Sequence, residues 1–448
     1  MSRRLDEPIL DRGIGHTNFF DGRLLTADDL RNDQNANRER RRQLGRAAGS
    51  GVIEGLEVSL VRSGEGGDRP VLAVRRGLAL ARSGRLLSLG ADDQVRLTRQ
   101  EETRHDAAGL FAECGTTGSV FTHLENGFYV LFLCPASGYS GSAPVQGLGG
   151  GGQRTGACGG RYEVEGVRFR LAPFDVFASD ILSRQTLEFI ATLADAPGER
   201  SDSLLRNLLA HACFGTEESK LLALDPLRAH AGGGSERGAL DYLRRRGLSD
   251  DCEVALALVY WRGGRVRFVD NWAVRRRVAR VEESECWAPF AGDRAAAERE
   301  AMLCQFRDHL SALLDTAADP SAVVARSYFH YVPPVALVPL AGGAGRGFAG
   351  DTFFEGLPRR GPEFIRAAAL RSLLGEAAHH EPVEIGAPAR RLEMLWLYLV
   401  AESEMARDAG AAVRRYAVLA SGHTPHRATA RFDLSLWDYA NYAGEGEG

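Results

Sequence analysis

Histidine pairs, acidic pairs and a glycine-framed serine are the groups in this chain that could do chemistry, and their spacing decides what each can do. His379 and His380 are adjacent. Adjacent positions on a helix point to different sides, so the rings do not form the i, i+4 pair that grips zinc. They read as exposed histidines at a helix end. His423 and His426 flank Pro425 with no cysteine or carboxylate at ligand spacing beside them, and two side chains fall short of a metal's three or four ligands. Gly138-Tyr139-Ser140-Gly141-Ser142 has the outline of a nucleophile elbow, but its second glycine falls one position early and loop-like residues follow where a helix is required. Asp92-Asp93 and Glu282-Glu283 are neighbouring carboxylates of the kind that turns leave solvated. Gly147, Gly149 and Gly152 satisfy G-x-G-x-x-G, yet a phosphate cradle needs a strand before and a helix after, and the strand-like Arg161 to Leu171 follows instead. No catalytic residue, cofactor site or metal ligand is assigned, and the chain reads as a non-enzyme.

Contact chemistry is better represented. Trp261, Trp272 and Trp287 accompany Arg275, Arg276 and Arg277, residue types that join large apolar area to directional hydrogen bonding and are enriched at interface hot spots. The competing reading packs Trp261 and Trp272 onto a hairpin. A second arginine group, Arg38, Arg41 and Arg42, lies on a polar N-terminal helix, where it meets an acidic surface on a partner or on a later part of the chain, or is simply solvated.

The elements that carry these residues follow from period and punctuation. Thr26 with Asp29 forms a capping-box pattern that opens a helix running to about Arg46, acidic at its start and arginine-rich at its end, which opposes the helix dipole. From Val52 to Leu97 short runs alternate at period two, Phe128 to Leu133 is continuously apolar, and Val164 to Leu171 supplies another strand. Together they predict a small sandwich or barrel, interrupted by a flexible glycine-rich loop over Gly147 to Gly160. Helical period begins near Ser179, with Leu187, Ile190 and Leu193 on one stripe, and a second helix follows with Ser201 as its cap. Val254 to Val269 reads as a hairpin turning at Gly263-Gly264, Ala295 to Leu314 as an amphipathic helix, and Pro362 as the first turn of another helix. Leu392 to Val400 is apolar at nearly every position, as in a strand covered on both faces.

The expected class is therefore α+β and multidomain: an N-terminal helical segment over 1–50, a β-rich domain over 51–178, a mixed helical and hairpin domain over 179–443, and a fraying tail over 444–448. The two larger cores are expected to be separate, joined near Phe177 to Leu182, with the hairpin in the second. At 448 residues and 44% hydrophobic content the chain is long enough for more than one core. A net charge of -4 supplies no cationic field for nucleic acid, and no apolar run is long enough to span a bilayer. Lys220 is the sole lysine among the 55 basic residues, a bias expected of a GC-rich genome. The seven scattered cysteines argue against a disulfide framework and for a reducing cytoplasm.

Three stretches carry a resemblance: Asn18 to Val58, opening N-F-F-D-G-R-L-L-T-A-D-D-L; Val254 to Val278, containing F-V-D-N-W-A-V-R-R-R; and Tyr328 to Leu340, Y-F-H-Y-V-P-P-V-A-L-V-P-L. As a set they resemble an uncharacterised bacterial family found in gene clusters for extracellular contractile injection systems, relatives of phage tails. The match departs at Arg46 to Gly49, where family members often carry aromatic or histidine residues. The resemblance implies a baseplate-proximal or fibre-associated structural component, assembled in the cytoplasm and released as part of an extracellular particle. Its partners would be other subunits of the apparatus or a further copy of itself. An envelope-modifying hydrolase or a cargo adaptor of such a system is the alternative.

Overall fold

A computed structural model describes residues 8, 10–61, 70–97, 124–144, 158–178, 181–196, 198–224, 237–280, 292–339, 349–388, 391–401 and 415–422. The architecture is α+β, as expected. Helix α1 (Ala27–Ala48) leads into six short strands, β1 (Gly51–Gly55), β2 (Val58–Val61), β3 (Val71–Val74), β4 (Gly77–Leu80), β5 (Leu86–Leu89) and β6 (Asp93–Arg96). They form two three-stranded sheets, β1-β4-β5 and β2-β3-β6. Two long strands follow, β7 (Gly127–Pro144) and β8 (Cys158–Pro173), and then helices α2 (Arg184–Asp195), α3 (Glu199–Phe214), α4 (Thr216–Leu224) and α5 (Gly238–Arg245). The hairpin β9 (Val254–Arg262) and β10 (Arg265–Asp270) turns at two glycines with positive φ and runs into the one-turn helix α6 (Asn271–Val274).

The hairpin corrects the expected division. It completes a four-stranded sheet of order β10-β9-β7-β8, so strands from both halves of the sequence share one ladder. Period alone cannot name a strand's neighbour, and β7 is apolar on both faces. Its Tyr129, Leu131 and Leu133 join Leu256, Val259 and Trp261 of β9 against Val52, Leu72, Val74 and Leu87 of the small sheets. Its Phe128, Val130 and Phe132 join Leu258 and Tyr260 against Ile190, Leu205, Leu208 and Leu243 of the helices. The register shifts between Leu131 and Phe132, a bulge that places both Leu256 and Ala257 toward the small sheets. Three layers result, each buried leucine, valine or phenylalanine contributing roughly 1.5–3 kcal/mol. Residues after the hairpin bind the N-terminal sheets as well. The Asn271 side-chain amide donates to Val58 O (2.9 Å) and accepts from Val58 N (2.8 Å), and Ser50 and Val52 bridge to Ala279 and Arg277.

The remaining chain builds on α7 (Asp293–Thr316). It adds β11 (Tyr331–Val332), β12 (Val335–Pro339), the short α8 (Gly350–Phe353), β13 (Arg359–Ile365), α9 (Ala367–Ala377), β14 (Val383–Glu384), β15 (Leu395–Ala401) and β16 (Arg415–Ser421). In the sheet β12-β16-β15-β13 the central strands β16 and β15 are covered on both faces, as the apolar run in β15 predicts, and β13 forms a largely exposed edge. Leu395, Leu397 and Leu419 face Phe306 and Leu310 of α7, while Trp396, Tyr398 and Val418 face Leu373 and Ala377 of α9.

Several local expectations shift. Ser201 lies inside α3, which starts at Glu199, because the chain enters the helix through Gly198. Pro362 sits within β13, where the shifted register against β15 leaves it outside the paired positions, and the helix begins five residues later. Gly138 to Ser142 is strand, paired with β8, so the serine of the elbow-like motif has no strand-to-helix turn to expose it. Cys252 is disulfide-bonded, so the scatter of cysteines did not exclude a crosslink. The glycine-rich stretch from Gly147 up to Cys158 lies outside the described residues, as do Trp287, Glu282-Glu283, His423, His426 and the 444–448 tail; Cys158 to Gly160 belong to β8.

Candidate functional site

Two elements stand away from the three layers. The first is α1 with the segment before it. Thr26 Oγ1 accepts from Asp29 N (3.2 Å) while the Asp29 carboxylate accepts from Thr26 N (3.0 Å), the reciprocal capping box the sequence predicts. Those hydrogen bonds hold the Asp29 carboxyl below its usual range. Arg23 reaches back to Asp29 and to Asn18 O (2.7 Å), and Thr17 donates to Asp29 O (2.6 Å), tying the preceding turn to the helix. Of the 22 helical residues only Ala36 is buried. Around this tied frame the apolar members of the same motif are exposed, Leu24 at 87%, Phe20 at 61% with the Arg23 guanidinium over its ring, and Phe19 at 53%.

The second is a ribbon. β9 pairs with β7 only as far as Leu133, and beyond it β7 and β8 continue alone as two strands to Pro144 and Cys158. Cys134 and Pro135 are still buried, and the nine residues from Ala136 to Pro144, at about 3.3 Å each, carry it about 30 Å further. Tyr139, Tyr162 and Val164 are exposed along it. At its base Glu165 pairs with Arg38 of α1 (3.4 Å), so the two protruding elements meet.

The arginines singled out in the sequence divide between surface and interior. Arg38 takes the intramolecular partner just given, Arg42 pairs with Glu39 (3.4 Å), and Arg41 is exposed. Arg275 is buried, donating to Gly55 O (2.5 Å) and stacking on Trp272 at 5.3 Å. Arg276 caps the carbonyls of Trp272 (3.0 Å) and Ala273 (3.2 Å) and covers the Phe214 ring at 4.7 Å. Burial pulls both guanidinium pKa values below the usual arginine range. These two, with half-buried Trp272, staple the layers together from inside, so as an external patch the group reduces to Arg277, exposed and paired with Glu300 (2.6 Å).

One buried cluster imitates a hydrolase triad. Ser203 of α3 lies 2.7 Å from His309 Nε2 of α7, and His309 Nδ1 faces Gln305 Nε2 at 3.5 Å. Gln305 and Arg206 both donate to the Asp270 carboxylate (2.9 and 2.6 Å). The hydrogens run the wrong way for catalysis. The Ser203 hydroxyl donates to Tyr328 O (3.1 Å), so the imidazole carries its proton on Nε2 and donates to the serine. His309 is buried, and desolvation holds its pKa well below the ordinary value. With its imidazole beside the Arg206 to Asp270 ion pair, the cluster is a clamp joining α3, β10, α7 and the loop before β11.

A pocket of about 300 Å³ opens between α4, α7 and the turn after α9. Phe214, Met302, Leu303 and Pro334 give it an apolar wall, Arg299 and Glu381 give it charge, and the exposed His379 and His380 also line it. The two histidines stand just past the end of α9, as the sequence predicts. Beside the pocket Glu384 accepts from Lys220 (3.2 Å) and faces His330 Nε2 (3.3 Å), and the His330 hydrogen bond, with the lysine charge, brings the Glu384 pKa down to about 2.

Sequence reasoning did not find Glu381, Ser203, His309 or Asp270 because they come from separate elements and no local spacing connects them. Among the described residues no group of three or more histidine, cysteine or acidic side chains is placed to hold a metal, and no helix is long and apolar enough to cross a membrane. No protein-family model matches the chain, and no curated protein matches it.

Proposed function

We propose that this chain is a structural or accessory component, baseplate-proximal or fibre-associated, of a phage-tail-like contractile injection system, and that it works through protein–protein contacts. The apparatus is taken from the resemblance of three stretches to that family. One observation supports the mode of action: the N-F-F-D-G-R-L-L-T-A-D-D-L motif separates into residues that tie its own turn and residues left in water. Asn18, Arg23, Thr26 and Asp29 bond to one another, whereas Phe19, Phe20, Leu24 and Leu25 are exposed. A capped helix with one buried residue draws little stability from packing in this fold, whereas most helical stability in proteins comes from packing one face of the helix. Covering that face with another subunit removes the exposed apolar area from water.

The test is co-expression with sheath, tube, spike and baseplate subunits encoded beside this chain. Phe20→Ser combined with Leu24→Ser should abolish co-purification while leaving the thermal unfolding of the isolated protein unchanged. Co-purification that survives the double substitution, or neighbouring genes confined to metabolism, would remove the reading.

A further inference from the structure

Beyond the body the ribbon is a two-stranded arm, Ala136–Pro144 of β7 against Cys158–Gly166 of β8. A lone pair of strands is marginal in water. Both outer edges of the arm carry backbone N–H and C=O groups with no ladder partner among the described strands, a template for a further strand. The two edges differ in what they can accept. Along β7, Gly141 takes a left-handed φ of 71°, Pro144 has no N–H to give, and no charged residue lies between them and Ala136 to fix a register. β8 is the outermost strand of the four-stranded sheet, carries no proline before Pro173, and is exposed at every residue from Arg161 to Gly166. Arg161 and Glu163 stand on one face of it, the former with its guanidinium over the ring of its neighbour Tyr162 (5.1 Å), while Tyr162 and Val164 stand on the other.

That order of charges is complementary to itself. We propose that the outer edge of β8 pairs antiparallel with the same edge of a second copy of this chain, about a twofold axis at Tyr162, joining two four-stranded sheets into one continuous sheet. In this register Arg161 of each copy lies opposite Glu163 of the other, Tyr162 lies opposite Tyr162, and Val164 lies opposite Gly160. Opposite charges and paired aromatic rings both favour directly opposed positions. Moving the axis one residue either way sets Arg161 against Arg161 or Glu163 against Glu163, and like charges there are destabilising. Tyr162 is also the midpoint of Cys158–Gly166, so the pairing uses the whole protruding edge and none of the edge along the body. Glu165 falls opposite Gly159, which leaves its pair with Arg38 undisturbed (3.4 Å).

The inference is independent of the assembly reading, since the β8 edge shares no residue with the exposed motif before α1. Sedimentation velocity of the full-length protein across a concentration series is the test, and a monomer–dimer equilibrium is expected. Arg161→Glu and Glu163→Arg each create two like-charge pairs per dimer, and each should weaken dimerisation by about tenfold or more. An equimolar mixture of the two variants should restore it, because every charged cross-strand pair in the mixed dimer is again acid against base. A protein that stays monomeric at every concentration overturns the proposal and leaves the edge to a strand of another subunit. A dimer indifferent to both reversals, or a mixture no stronger than its components, overturns it as well. Phe20→Ser with Leu24→Ser should dimerise like the unaltered protein, and loss of the dimer there would move the contact to the N-terminal motif. Should either charge variant fail to fold by circular dichroism, hydrogen exchange on the unaltered protein still decides. Backbone amides of 158–166 should exchange more slowly as the dimer forms, and slowing confined to other segments rejects the β8 edge.

Discussion

At the scale of single residues, burial separates groups that look alike in sequence. Arg275 and Arg277 are two positions apart, yet the first is enclosed against Gly55 and Trp272 and the second reaches Glu300 at the surface. Ser203 and His309 have the atoms of a catalytic pair and the opposite proton order. Ser203→Ala removes the acceptor of the His309 Nε2 proton in a buried site and should destabilise the protein by about 1–3 kcal/mol in urea unfolding. It should leave subunit contacts intact. Glu384 predicts a pH dependence of defined sign. Its pKa falls from an ordinary 4.5 to about 2 in the folded chain, so its contribution is present above pH 4.5 and is lost as the pH drops toward 2. The stability gap between the unaltered protein and Glu384→Gln should accordingly be full at pH 7 and shrink across that acid window in urea titrations. A gap that held constant to pH 2 would show that the carboxylate's charge contributes nothing.

Individual elements are held by means that differ in how local they are. Helix α1 is started by its own capping box but anchored to the body by a close backbone approach, where a Cβ on Gly45 would lie 2.2 Å from Gly84 O. Backbone cannot retreat as a flexible side chain can. Gly45→Ala should push the C-terminal end of α1 off the turn between β4 and β5, and limited proteolysis should then cut within residues 27–48 faster than in the unaltered protein. The main unfolding transition should stay in place, because the helix adds only Ala36 to the buried set. Unchanged cleavage would mean that the Arg38 to Glu165 pair at the ribbon base suffices to hold the helix, more than such exposed pairs usually contribute.

For the molecule as a whole, the shared ladder β10-β9-β7-β8 makes the two halves of the sequence interdependent. A fragment beginning at Ser179 would carry β9 without β7 and expose Leu256, Val259 and Trp261, which the small sheets cover in the full chain. Such a fragment should aggregate or stay unfolded when expressed alone, and co-expression with residues 1–178 should restore a soluble complex. Independent folding of the 179–448 fragment, read by circular dichroism and a cooperative melt, would contradict the shared core.

The sequence by itself determined the features whose causes lie within a few residues. Thr26 and Asp29 set the start of α1, Gly263-Gly264 set the β9 to β10 turn, and the two-sided apolar run in β15 announced a strand covered on both faces. Each depends on a local hydrogen bond, a local dihedral or a short period. Tertiary structure decided what depends on distant partners: that β9 lies beside β7, that Asn271 closes on Val58 across 213 positions, and that Glu381 and Arg299 face one pocket. Burial and pairing are set by which surfaces meet, and apolar period states only that a face will be covered, leaving the covering element unnamed.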